Sequence, residues 1–485
     1  MSTGRRLLRG AAWIYGAQIA TIVTQFAYAA VTSRLVTPAG FGAYAVALTV
    51  TGLVTLLATG GLGQTVSRML DLNRDRLRAL VSYALILGGV GGSALYFSAP
   101  FWTWLWGVDE ALEPIRWLSI IGFVSPFIGL STGLMARSGK FRQLALITVA
   151  SNVMGMAVGA IAVMTWQSAS SLVVSGALAQ LLILGGSLFA TDRQLLGLAK
   201  LKHGHGDIGF SGKLMFASFL SYLTGNITKF SLTRAVGAAT LGHWNRAEVV
   251  SVIPFQHIQN ALIKAAYPEF RHDIADAHRA KRVWTDMLIL TAWIAFGLSA
   301  CGAALIPPLV PVVFGPGWEI AASLAGPLAI AGGLQIVTTL LASGIEALGR
   351  FRWVWSTDAI LISLQVGAAA LIFLYEDIFV AIVAIFLTNI VRHAWQVWLA
   401  GRGGYLNVPR LLQNYLLAAS VSASLGAIIW AIVKLASMSG DHPSEWFWTL
   451  SLAAVVVFAL FIFREKIPAV VIARQYGFIP KRSSQ

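Results

Sequence analysis

The chain has 485 residues, of which 57% are hydrophobic and only 11% are charged, and its formal net charge is +15. Soluble domains carry about 25% charged residues, so the composition excludes a soluble enzyme. Many apolar runs approach the length of about twenty residues that crosses the hydrocarbon layer of a bilayer. Because a bilayer offers no hydrogen-bond partners, such runs form helices. The sequence therefore predicts an all-α polytopic membrane protein.

The apolar runs predict about fourteen transmembrane helices, with twelve as the alternative if one pair does not cross. The first run follows three arginines and is longer than the core of a signal peptide, so we expect it to be retained. The seventh and eighth runs are the most polar, and Pro254 is expected to kink the eighth. The predicted spans are 11–33, 41–63, 79–100, 115–135, 143–165, 170–190, 213–234, 239–262, 284–313, 320–345, 354–375, 377–399, 410–434 and 445–463.

The charged residues orient these spans. Most of the 35 lysines and arginines fall in alternate connections, and the intervening connections are short and acidic. Since basic residues accumulate in cytoplasmic loops, both termini are predicted to be cytoplasmic in the plasma (inner) membrane. The positive net charge has this explanation, and no basic segment with interleaved aromatics indicates nucleic-acid binding. The basic residues that break the pattern are Arg34, Arg116, Lys229, Arg234, Arg246 and Lys434.

An internal repeat divides the chain. The segment RLVTPAGFGAY at 34–44 and the segment RAVGAATLGHW at 234–244 share a pattern at an offset of 200 residues. Six predicted helices separate the copies, so the two units point the same way, as in transporters built from parallel repeats. The repeat predicts two six-helix lobes around a central cavity, over 1–195 and 210–400. Residues 401–485 then form two extra helices and a cytoplasmic tail.

Charges within apolar spans indicate the candidate site, because an ionised group in hydrocarbon normally faces a protein interior or a wet cavity. The first, seventh and eighth spans carry polar residues at helical spacing, so together they could line a cationic cavity suited to a diphosphate. The predicted cationic residues are Arg34, Lys229, Arg234 and Arg246, and the supporting polar residues are Gln18, Gln25, Asn226, Asn245 and Glu248.

Three of the cationic residues also have a structural alternative. Arg34 and Arg234 could instead extend to the outer membrane interface, and Arg246 could simply neutralise Glu248 or an acidic residue on another helix. Lys229 is the hardest to explain structurally. Catalytic motifs are absent, and no metal or cofactor is expected, since Cys301 is the single cysteine and the paired loop histidines are more simply solvated.

Both motif copies, extended to RLVTPAGFGAYA and RAVGAATLGHWNRA, and the segment IPFQHIQNALIKAAYPEFRHDIAD resemble the Wzx-type oligosaccharide flippases of the multidrug/oligosaccharidyl-lipid/polysaccharide superfamily. The segment VPVVFGPGWEIAASLAGPLAIAGGLQIV, followed by EALGRFR, is similar to the branch that exports bacterial exopolysaccharides. Many relatives carry an acidic residue after the asparagine of the seventh helix, where this chain has Lys229. This departure puts a proton-coupling role at that position in doubt.

The resemblance implies two helical lobes and transport of a polyprenyl-diphosphate-linked oligosaccharide by alternating access, for exopolysaccharide, capsule or O-antigen biosynthesis. The expected partners are this lipid, the bilayer and the polysaccharide polymerase and export machinery. One alternative is a cation-coupled drug antiporter of the same superfamily, which would more naturally show buried carboxylates. Another is a membrane polysaccharide polymerase or ligase, which would need larger outside loops.

Overall fold

The computed structural model describes residues 21–69, 73–191, 197–272, 277–439 and 468–475. Within these ranges the chain forms helices and turns and no β-strand, which agrees with the predicted all-α class. The helices are α1 (21–33), α2 (Pro38–Thr59), α3 (Leu62–Arg68), α4 (Arg74–Trp106), α5 (Leu112–Arg137), α6 (Phe141–Trp166), α7 (Ala169–Ala190), α8 (His205–Val236), α9 (Ala238–Ser251), α10 (Ile253–His272), α11 (Ala277–Phe314), α12 (Glu319–Ala347), α13 (Phe351–Tyr375), α14 (Ile378–Arg402), α15 (Val408–Ser439) and α16 (Pro468–Gln475).

Ten helical segments of the described chain are long and apolar enough to cross a membrane. They overlap the second to sixth and the ninth to thirteenth predicted spans. The two most polar predicted spans are helical without meeting that criterion, and the eighth is divided at Val252, next to Pro254. Residues 11–20 and the span 445–463 lie outside the described residues, so the count of fourteen stays a prediction.

Local signals explain where α2 begins and ends. Thr37 accepts a hydrogen bond from the backbone N–H of Gly40, and Pro38 occupies the first turn. This combination favours a helix start, because the first-turn N–H groups have no partner within the helix and the missing N–H of proline therefore costs nothing there. Gly60 and Gly61 both have a positive φ, which glycine adopts without strain, and they separate α2 from α3. The predicted span 41–63 is therefore a broken helix.

The chain divides into two compact units. Unit 1 comprises Met1–Asn245 together with Val313–Gly317, and unit 2 comprises Arg246–Val312 together with Trp318–Gln485. The predicted lobes over 1–195 and 210–400 follow the repeat instead of the contacts, and their boundaries stay a prediction.

Among the described residues of unit 1, two apolar clusters contribute to the core. One joins α2, α4 and α5, with Val46, Leu95 and Leu118 among its fully buried members. The other lies at α3 and the beginning of α4, around Leu62 and Leu80. Such buried clusters are expected in a membrane protein too, because close packing of complementary helix surfaces holds membrane helices together.

Unit 2 is organised around a buried tryptophan. The ring of Trp284 has no exposed surface and stacks on that of Tyr405 at a centroid distance of 5.3 Å. Two residues further along α11, the carboxylate of Asp286, only 2% exposed, lies 2.8 Å from Nη2 of Arg410. This ion pair links α11 to α15 within the unit.

Candidate functional site

The two copies of the repeat meet in unit 1. Each copy forms the connection between two helices, α1 to α2 in the first and α8 to α9 in the second. A Cβ atom on Gly42 would overlap the backbone carbonyl of Ala238, and one on Gly242 would overlap that of Pro38. The offset of 200 residues relates both members of these contacts. The helices α2 and α9 therefore cross at a distance that only glycine permits, and the crossing has twofold character.

The arginine that opens the first copy reaches the end of a distant helix. Nε of Arg34 donates a 3.3 Å hydrogen bond to the carbonyl of Val313, in the last turn of α11. A Cβ on Gly315, which has φ +89°, would lie 3.2 Å from Cγ of Arg34. Arg34 is surface-exposed and lies across the turn that follows α11.

The arginine that opens the second copy has an equivalent position. A Cβ on Gly107, which has φ +68° and caps the C-terminus of α4, would lie 2.7 Å from Nη1 of Arg234. Arg234 is also surface-exposed. Both arginines therefore lie over glycine turns at the ends of long helices, a role that the sequence did not predict for them.

The polar face of α8 carries the predicted lysine. Lys229 and Asn226 are half-buried, and Nδ2 of Asn226 donates to the carbonyl of Tyr222 at 2.9 Å. The hydroxyl of Tyr222 donates to the carbonyl of Thr49 at 2.8 Å and fixes α8 against α2. Along this face of α8, Tyr222 therefore packs between helices, and Lys229 lies two turns further along.

The other predicted residues are distributed more widely. Gln25 is exposed on α1 and Asn245 is half-buried in α9, both in unit 1, whereas Gln18 lies outside the described residues. Arg246, 7% exposed, and the half-buried Glu248 fall in unit 2. The contacts of unit 1 bring together the two motif copies, while Asn226 and Lys229 lie one to two turns before the second copy on α8.

Sequence reasoning missed an ion pair elsewhere in unit 1. Nε and Nη2 of Arg76 donate to the two carboxylate oxygens of Asp207 at 2.9 and 2.8 Å. The side chain of Asp207 is only 10% exposed. The hydroxyl of Ser82 also bridges the N–H and the carbonyl of Ala199. The sequence feature that could have indicated this ion pair is Asp207 itself, an acidic residue at the beginning of α8 in an otherwise basic connection.

An apolar cavity in unit 2 was not foreseen either. It has a volume of about 500 Å³ and lies among α11, α12, α14 and α15. His393 and Tyr415 line it with their rings stacked at a centroid distance of 5.6 Å, and Arg402 is also a lining residue. Its apolar lining residues on α14 have the same sequence character as lipid-facing residues, so the sequence carries no signal for it.

We find no candidate metal site in the part of the chain that the structure describes. No group of three or more histidine, cysteine, aspartate or glutamate side chains gathers there.

Comparison with solved structures identifies the fold. The chain is similar to lipid II flippase MurJ in an inward closed conformation, with a TM-score of 0.70 over 94% of this chain and 99% of that one. The two sequences are 11% identical, so the likeness establishes the fold alone.

Comparison with characterised sequences gives two relatives along nearly the whole chain. The teichuronic acid biosynthesis protein TuaB of Bacillus subtilis is 22% identical over 96% of this chain and 97% of its own length. The lipopolysaccharide biosynthesis protein WzxC of Escherichia coli is 22% identical over 88% of this chain and 90% of its own length.

The family model described as polysaccharide biosynthesis protein matches residues 31–323, which is more than half of the chain. The matched region contains both copies of the repeat and ten of the described helices in full, α2 to α11. The protein is therefore a multi-pass membrane member of the polysaccharide biosynthesis protein family.

Proposed function

We propose that the protein transports a polyprenyl-diphosphate-linked oligosaccharide across the plasma membrane by alternating access, for exopolysaccharide, capsule or O-antigen biosynthesis. Family membership and the flippase-like fold support this function. The named relatives act in teichuronic acid and lipopolysaccharide biosynthesis. Both termini are proposed to lie in the cytoplasm, because the basic connections alternate with acidic ones.

The observation that carries the proposal is the position of Lys229. It is half-buried on α8, which runs from His205 to Val236, and it follows Asn226 by one turn on the polar face of that helix. Lys229 lies within the seventh predicted span, and a lysine at the centre of a membrane helix costs about 2.5–3.5 kcal/mol on insertion scales, so such a residue normally serves a function. A cationic group of this kind suits a diphosphate. We therefore assign Lys229 to the diphosphate of the lipid-linked substrate, with Asn226 as a hydrogen-bond donor.

The remaining predicted residues keep supporting roles in the proposal. Positive charge along the predicted path comes from Arg34, Arg234 and Arg246, and further polar groups come from Gln18, Gln25, Asn245 and Glu248.

The polysaccharide polymerase and export machinery are the proposed downstream partners.

The test compares Lys229→Ala with Lys229→Arg, in a strain that lacks the native gene. The alanine variant is expected to lose surface polysaccharide and to accumulate lipid-linked oligosaccharide on the cytoplasmic side. The arginine variant should retain export, because it keeps the charge. Lys200→Ala, a change in an exposed connection of the same unit, is the matched control.

The double variant Lys229→Ala, Arg246→Ala is expected to abolish export while the protein still inserts into the membrane. Normal surface polysaccharide in that variant would contradict the assignment of the cationic residues. A direct assay uses proteoliposomes that contain a fluorescent polyprenyl-diphosphate-linked disaccharide. Absence of any movement of this probe by the unmodified protein would contradict the proposed substrate class.

A further inference from the structure

Two arginines at equivalent positions of the repeat lie on the ends of two equivalent helices. Arg34 follows the first predicted span and lies on the end of α11, which is the ninth. Arg234 ends the seventh predicted span and lies on the end of α4, which is the third. The repeat pairs the first span with the seventh and the third with the ninth. The contact of the first span with the ninth therefore has its counterpart in the contact of the seventh span with the third. The two contacts are therefore a crosswise pair, and both lie within unit 1.

The chemistry of each contact is that of a cation at a helix C-terminus. The last four carbonyls of a helix have no partner within it, and the helix dipole makes that end negative. The carbonyl of Val313 is one of these groups and accepts from Arg34. Gly107 and Gly315 have positive φ angles, and their missing side chains leave room for the two arginines.

The connections that carry the two arginines also form the crossing of α2 and α9. Gly42 and Gly242 bring the two helices into backbone contact there. The ends of α4 and α11 are predicted to face the outside, since acidic residues such as Asp109 and Glu110 follow α4 directly. The crossing and both arginine contacts are therefore predicted to lie on the side at which the transported lipid would leave.

We propose that Arg34 and Arg234 are a matched pair of gate residues that stabilise the outside-closed state. The inference rests on the proposed function, because alternating access requires the two motif copies to separate at this end. Separation would break both contacts at once, the hydrogen bond of Arg34 to the end of α11 and the packing of Arg234 over Gly107 at the end of α4. Losing both contacts would shift the population toward the outside-open state.

The test measures access from the outside, independently of transport. Asn226→Cys in a Cys301→Ser background places a single thiol on the polar face of α8. A membrane-impermeant maleimide is applied to the outer side of intact cells. Removing both arginines, as Arg34→Ala with Arg234→Ala, is expected to raise the initial labelling rate roughly five- to tenfold, the effect of losing charged helix-end contacts.

Two further variants separate gating from general stability. Arg116→Ala removes an arginine that pairs with Glu113 on its own helix, and it should leave the labelling rate unchanged. Arg34→Lys with Arg234→Lys keeps the charge and should restore most of the wild-type rate. Labelling is scored on protein extracted as a monodisperse species. If the double alanine variant yields no monodisperse protein, the single variants Arg34→Gln and Arg234→Gln are measured instead, and each is also expected to raise the labelling rate.

Unchanged labelling in the folded alanine or glutamine variants would overturn the gate, as would an equal rise in Arg116→Ala. The probe-transport assay is run on the same variants without the reporter cysteine. Raised labelling without transport of the probe by any form would retain the gate and reject the proposed function. Transport with unchanged labelling would retain the function and reject the gate.

Discussion

The crossing of α2 and α9 gives the sharpest prediction, the effect of alanine at Gly42. The added methyl group would overlap the carbonyl of Ala238, which is backbone and cannot turn aside as a flexible side chain can. Overpacking of a close contact costs about 1–3 kcal/mol. We expect Gly42→Ala to lower the free energy of unfolding by this amount, and Gly242→Ala to do the same because it meets Pro38 equivalently.

The control for this prediction is another helical glycine. Among the described residues, no atom lies within 4 Å of a Cβ built on Gly225 of α8. Gly225→Ala should therefore be neutral or stabilise the protein by about 0.5–1 kcal/mol, because alanine loses less conformational entropy in a helix. The assay is thermal unfolding in detergent with the three variants in parallel. Equal melting of Gly42→Ala and Gly225→Ala would refute the close crossing.

Three contacts give further predictions. Replacing either Arg76 or Asp207 by alanine should cost about 1–2 kcal/mol, because Asp207 is buried and Arg76 is partly exposed; a double-mutant cycle that shows no coupling would contradict the pair. Arg410→Ala should cost about 3 kcal/mol, since it removes the guanidinium from the buried carboxylate of Asp286; unfolding at the wild-type denaturant midpoint would argue against it. Tyr222→Phe should cost about 1 kcal/mol by removing the hydroxyl that bonds α2, and an unchanged melting temperature would count against this bond.

The candidate site could be proposed from the sequence because its cations interrupt apolar segments. Lys229 stands out in this way, and the structure gives it a half-buried position on α8. The contacts of Arg34 and Arg234 were less accessible to prediction. A basic residue at the end of a span has the same sequence signature whether it lines a cavity, extends to the interface or caps another helix.

The sequence by itself determined the class of the protein, the limits of most helices and the existence of the repeat. These features depend on composition and on residues close together in the chain, such as Thr37 and Pro38 at the beginning of α2. Only the tertiary structure decided which surfaces meet. The close approach of Gly42 to Ala238 and the hydrogen bond between Arg34 and Val313, 279 positions apart, join distant parts of the chain. No local pattern encodes such contacts, because a polar or small residue on a helix face is compatible with several neighbours.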